Sequence, residues 1–205
     1  YEYEGIVPPL TLLTVGAKGI GVNVTSPEPD LVVRKMPVLI RVADKIYPSM
    51  LLENIRLINR SKRIKVIAKE FGINEVLVSK QAGIPVNHNA EMYINYADPS
   101  QYTQLSVEQV FSREHDDKIK GRIVVVGMDA AGLSVLKYTP HGLTTDQMIT
   151  AQALDTTMTG DYLYRTPQAD TYEIVFLALL LLLLILVLPR TSVLLAVPLL
   201  FFIEG

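Results

Sequence analysis

Apolar and polar positions change character near residue 171. Before it, apolar residues come in short runs and alternations broken by Gly, Pro and charged residues; from 174 to 188 they are almost uninterrupted Leu, Ile, Val and Phe. The first pattern predicts one α/β domain over residues 1–171, a mixed sheet flanked by helices. The second predicts a membrane anchor over residues 172–205. A helix from Tyr172 to Arg190 rises about 28 Å, close to the thickness of a bilayer's hydrocarbon core. Its apolar side chains together favour insertion by on the order of 5 kcal/mol. After Pro189, Arg190, Thr191 and Ser192, a second apolar stretch covers 193–203 and contains Pro198, which membrane helices tolerate. The two stretches predict a transmembrane hairpin whose second helix continues past Gly205.

Within residues 1–171, stretches 19–24 and 32–42 predict an antiparallel pair joined by the turn chemistry of 26–30, with Pro37 needing an edge or a bulge. Leu51, Leu52, Ile55 and Ile58 recur at helical spacing, and Pro48 suits that helix's first turn. Short strands are expected at 64–68, 75–79 and 91–96, the last alternating Met92, Ile94 and Tyr96 against Tyr93 and Asn95. Ser106 with Gln109, and Thr144 with Gln147, are capping-box pairs opening two helices. The second helix carries Met148, Ala151, Leu154 and Met158 as one stripe and stops near Gly160. Between the two boxes, Ile123, Val124, Val125 and Val126 predict the central strand, covered on both faces.

Charge and composition narrow the function. The net charge is −2 with both signs scattered, and nucleic-acid binding, which needs clustered Lys and Arg, is excluded. The densest basic stretch, 60–65, reads as a solvated helix end. There is no cysteine, so neither thiolate chemistry nor a cysteine-bound zinc is available. The three histidines, His88, His115 and His141, lack metal-ligand spacing, and no metal or other cofactor is expected. His115, Asp116 and Asp117 read as a solvated turn. Ser106 and Ser134 lack a nucleophile-elbow context, and no catalytic set assembles. Asn23, Val24 and Thr25 fit a glycosylation acceptor only in a eukaryotic source. In α/β sheets ligands collect beyond strand carboxyl ends, which points to the loop 127–132 and a ligand pocket of Asp129, Tyr138 and His141. That loop lacks the Lys-Ser/Thr pair of a nucleotide site.

Arg190 is the basic residue of the short inter-helix turn, and positive loops stay cytoplasmic, so residues 1–171 are expected outside the cytoplasm. Tyr162, Tyr164 and Tyr172 suit the membrane interface. The chain opens on Tyr1 with no signal peptide, and further residues are expected before it.

Several short motifs, in order, resemble the second type of CHASE family, extracytoplasmic sensing domains associated with cyclases and histidine kinases. They are Gly21-Val22-Asn23-Val24, Pro29-Asp30, Arg34, Pro37-Val38-Leu39, Tyr47-Pro48-Ser49 and Ile94-Asn95-Tyr96. Lys120 to Gly127, Ala130 to Leu133, Thr139-Pro140, Leu154-Asp155 and Gly160 to Leu163 follow. The resemblance spans 16–205 and implies a sensor in the inner or plasma membrane, its globular part periplasmic or extracellular, signalling to a cytoplasmic output domain. Two features depart from it. The acidic residue and histidine that family members carry entering the last helix correspond here to Met148 and Thr150, and the family's N-terminal membrane helix and first strand-helix-strand portion are missing before Tyr1. Expected partners are the bilayer, a second copy or a membrane complex, and an unidentified small molecule. The competing expectation is a non-enzymatic structural or interaction subunit.

Overall fold

The computed structural model describes residues 2–25, 27–69, 72–79, 83–130, 134–164 and 169–187. The chain falls into two units, divided between Tyr164 and Arg165.

The first unit is mixed α/β, but its strands form four small sheets. β1 (Glu2–Tyr3) runs parallel to β3 (Leu39–Val42), which pairs antiparallel with β4 (Lys45–Pro48). β2 (Lys35–Pro37) pairs antiparallel with β8 (Glu91–Tyr93). β5 (Lys65–Lys69), β6 (Gly72–Leu77) and β7 (Gly83–Pro85) form an antiparallel meander. β9 (Lys137–Thr139) and β10 (Gly142–Thr144) form a hairpin. The expected single flanked sheet is thus corrected to separate two- and three-stranded pieces.

The pairing of 19–24 with 32–42 is also corrected. Residues 19–24 hold one isolated bridge, Val22 with Ser49, and the strands of 35–42 take their partners from β1, β4 and β8. Close approach explains the bridge. Val22 N–H donates to Pro48 O at 3.0 Å and Met50 N–H to Val22 O at 2.9 Å, with Gly21 against the Met50 backbone. Pro37 does lie in a two-stranded sheet, where its missing N–H faces an edge.

α1 (Thr11–Gly16) buries no residue. α2 (Met50–Ile58) begins two residues after Pro48, which instead ends β4. Its cap is the fully buried Ser49, whose Oγ accepts the Leu52 N–H at 3.2 Å. Leu51, Leu52 and Ile55 are buried, whereas Ile58 is exposed. α3 (Val107–Phe111) carries the predicted capping box with both bonds formed, yet Val107, Val110 and Phe111 all face solvent. α4 (Asp116–Ile119) is a single turn with Asp116 and Asp117 at its start and His115, without a side-chain bond, at its cap position.

α5 (Asp146–Thr159) ends, as predicted, on Gly160 in the left-handed region at φ 78°. Its start and its facing differ from expectation. The cap position is Thr145 without a side-chain bond, and Gln147 instead donates to Met128 O. The buried face is Ile149, Thr150, Gln152, Ala153, Leu154 and Thr156, while Met158 is exposed. Half of that face is polar, so an apolar stripe could not locate it.

The core gathers Val33, Met36, Val38 and Leu39 with Leu51, Leu52, Ile55, Val76, Ile84, Met92, Ile94, Ile149 and Leu154. The predicted central strand at 123–126 is absent. The segment makes no ladder among the described residues, and Ile123, Val124 and Val126 are exposed by 47%, 55% and 86%. Strand propensity creates a strand only where a partner supplies the hydrogen bonds. Val125 alone packs on the core.

In the second unit α6 (Ala169–Val187) has 19 residues. Among the described residues no helix is long and apolar enough to cross a membrane. The apolar part of α6 within them, 174–187, rises about 21 Å. The predicted hairpin turn and second helix, 188–205, lie outside the described residues.

Candidate functional site

Two cavities open on the first unit. One of about 240 Å³ is a surface groove beside β3 and β4, lined by Ile40, Arg41, Ile46 and His88 among others. The second, about 320 Å³, lies where the extended segment 125–128 meets the first turn of α5. Its lining combines apolar side chains, Met50, Val125, Val126, Met128 and Val135, with Asn23, Ser134, Asp146, Gln147 and Thr150. Apolar and polar side chains share this wall five to five, a more polar lining than small-molecule sites commonly present.

Polar contacts fix this wall. Lys137 on β9 reaches the Asp146 carboxylate at 2.7 Å and donates to Thr25 Oγ1, which itself donates to Asp146 at 3.0 Å. Three segments distant in sequence thereby meet at the start of α5. Gln147 Nε2 donates to Met128 O at 3.1 Å, tying the loop to the helix. Thr150, buried, donates to Asp146 O at 2.9 Å. The charges at this wall are already paired with each other, which leaves amide and hydroxyl groups to meet a ligand.

None of the three sequence-predicted residues lines either cavity. Asp129 follows Met128 and is exposed. Tyr138, 55% exposed, lies on β9, and its carbonyl accepts the Val33 N–H at 2.8 Å. His141 sits in the β9–β10 turn with Nε2 3.2 Å from Tyr96 O. Its charge also helps hold the Asp98 carboxyl low, behind the larger effect of hydrogen bonds from Ser100. No hydrogen bond or ion pair joins any two of the three among the described residues. Of the loop 127–132, Gly127 and Met128 line the second cavity, Asp129 and Ala130 do not, and the remaining two residues lie outside the described ones. Lys137 and Asp146 were not singled out by sequence, and Asn23 only as a glycosylation acceptor and in a family motif. The one available signal, Gln147, points to a capping box and away from its role as a tether.

A second polar cluster surrounds segment 27–35. Glu28 receives Lys35 at 2.6 Å and Arg34 at 2.7 Å, and Arg34 also reaches Asp30 at 2.7 Å. The hydrogen bond from Lys35 is the main force holding Glu28 below its ordinary value, and that from Arg34 does the same for Asp30. Lys35 also lies over the Tyr93 ring at 4.9 Å. Every charge here is matched, which marks a structural tie. Among the described residues no group of three or more His, Cys, Asp or Glu could hold a metal ion.

No curated protein and no solved structure matches the chain. The family model described as CHASE2 domain does match, over residues 3–188, from the end of β1 through α6. CHASE2 is a family of extracellular sensory domains, and with the greater part of its length matched this chain belongs to the CHASE2 domain family.

Proposed function

We propose that this chain is the membrane-anchored, extracytoplasmic sensory part of a receptor, that its signal is a small molecule held in the cavity between 125–128 and α5, and that a displacement of α5 carries the response toward a cytoplasmic output. The observation that carries this reading is the cavity itself, sited against the first turn of the helix that precedes the apolar segment in the chain. In this reading Asp129 and Tyr138, sequence neighbours of Met128 and Lys137, form polar approaches, and His141 marks the hairpin tip. The run 174–188, and the hairpin it forms with 193–203, anchors the chain. Such a helix answers a ligand only as far as the ligand's affinity differs between its two positions.

Two measurements test it. The native chain has no cysteine, so a single Asp44→Cys, in the exposed β3–β4 turn, reports sidedness. An impermeant maleimide should label it in intact cells, and labelling only after permeabilisation would refute the orientation. For the cavity, Gly127→Leu projects a side chain toward Gln147. Compounds that raise the parent's melting temperature should lose that effect in this variant; equal stabilisation of both would place the ligand elsewhere.

The exposed apolar residues of α1 and α3, with Leu12 at 86% and Phe111 at 81%, favour a second reading as an interaction subunit. A stable heteromeric complex retained through mild detergent extraction would support it.

A further inference from the structure

Segment 95–102, between β8 and α3, is fastened mainly by side chains of α5. Thr156 Oγ1 accepts the Asn95 N–H at 3.1 Å, Gln152 Oε1 accepts the Ala97 N–H at 3.1 Å, and the Tyr102 hydroxyl donates to Asp155 at 3.0 Å. Positions 152, 155 and 156 lie on one helix face, so these bonds form a continuous polar seam. On the other side His141 contacts the Tyr96 carbonyl. Gln152 and Thr156 are 1% and 2% exposed, so their bonds lie in the interior, whereas the Tyr102–Asp155 bond closes the seam at the surface.

The segment's anchor works against this fastening. Tyr96 packs its ring on the core, but its buried hydroxyl has no hydrogen-bond partner among the described residues. Burial pushes its phenol pKa well up. An orphaned buried hydroxyl favours any state in which it reaches water. Bonds from side chain to backbone can break in sequence, without unfolding a sheet or a helix.

We infer that 95–102 is a strap that opens locally from α5, with the Gln152–Asp155–Thr156 seam as its fastening and the Tyr96 hydroxyl as the group that gains a partner on release. The closed strap fixes the seat of α5, and the open strap frees the helix's polar face. This inference stands on the fold and needs no ligand.

Native-state hydrogen exchange on the full chain in detergent tests it. The amides of Asn95 and Ala97 should exchange faster than those of Leu52 and Ile55 in α2, through an opening that denaturant barely affects. Tyr96→Phe removes the orphaned hydroxyl and should slow exchange at 95 and 97 by about fivefold or more. Thr156→Val removes an acceptor and should speed it by a similar factor, with the α2 amides unchanged in both variants. Two results would overturn the strap: exchange at 95 and 97 that follows the α2 amides in every variant, and a Tyr96→Phe protein that exchanges as fast as the parent. Because the two substitutions push in opposite directions, general loss of stability cannot imitate the expected pair.

Discussion

Gly21→Ala should be among the most damaging single methyl additions in the first unit. A Cβ at Gly21 would lie 2.5 Å from Met50 Cα, 2.6 Å from Met50 N and 2.7 Å from Ser49 O. All three are backbone atoms at the start of α2, so no rotamer change relieves them. Ordinary contact begins near 3.4 Å, and the strand must therefore withdraw by 3.4 − 2.5, about 0.9 Å. That withdrawal stretches both bonds that Val22 makes, to Pro48 O and from Met50 N–H. Overpacking costs about 1–3 kcal/mol and each weakened bond about 0.5–1.5, which gives a loss of about 3 kcal/mol. For a chain of this size the melting temperature should fall by roughly 6–12 °C. Gly16→Ala is the control, since a Cβ there meets nothing within 4 Å. Thermal unfolding followed by circular dichroism in one detergent compares the two. If Gly21→Ala melts within a degree or two of Gly16→Ala, the close approach of 20–22 to α2 is wrong.

Three further outcomes follow from the same contacts. Ser49→Ala removes the α2 cap and should cost about 1 kcal/mol, read as a lower urea midpoint with an unchanged slope. Gly127→Ala meets Gln147 Cδ at 2.7 Å, which can swing aside, and Gln147 Cβ at 2.8 Å, which is fixed to α5, so overpacking of about 1–3 kcal/mol should lower the melting temperature by about 2 °C or more. The third concerns acid: Glu28 and Asp30 have folded values held below their ordinary 4.5 and 3.8, chiefly by Lys35 and Arg34 respectively. Groups lowered by folding stabilise above their unfolded values, and this contribution is lost as the pH falls through the folded ones. The contribution of these two carboxylates should therefore be flat down to about pH 4.5 and decline below it. Glu28→Gln should be less stable than the parent at pH 7, with the difference narrowing at pH 3.

Where local chemistry decides the structure, the sequence was informative. The capping box at Ser106, the spacing of Leu51, Leu52 and Ile55, the Gly160 terminus and the strand near 65 all depend on neighbours a few residues away. Pairing across long separations was not legible. Nothing near Lys35 announces that it meets Tyr93, and nothing near Glu2 that it meets Arg41. The hairpin at 137–144 was missed because its turn, Pro140 and His141, is not the Asn-Gly type that identifies two-residue loops. Segment 123–126 misled for a related reason: β-branched residues record an affinity for a sheet, but a ladder partner must come from elsewhere. The candidate site shows both sides of this. Its loop was picked from a rule about strand ends although no strand precedes it, and Thr25, Lys137 and Asp146 meet only through tertiary folding.

The division into four small sheets also bears on how the protein behaves in concentrated solution. Small sheets have many open margins, and each margin can recruit a foreign strand. Of the eight margin strands among the described residues, β2, β4, β5 and β9 begin with lysine, at positions 35, 45, 65 and 137. A strand docking there would have to bury or displace an ammonium group, and lysines at margins are a recognised deterrent to fibrils. Residues 123–126 have Arg122 before them but no charge within the run or directly after it. Four β-branched side chains in succession, uncharged and largely open to water, make this the place where aggregation should begin. One lysine in place of Val124 would be the natural first step toward a preparation that stays in solution.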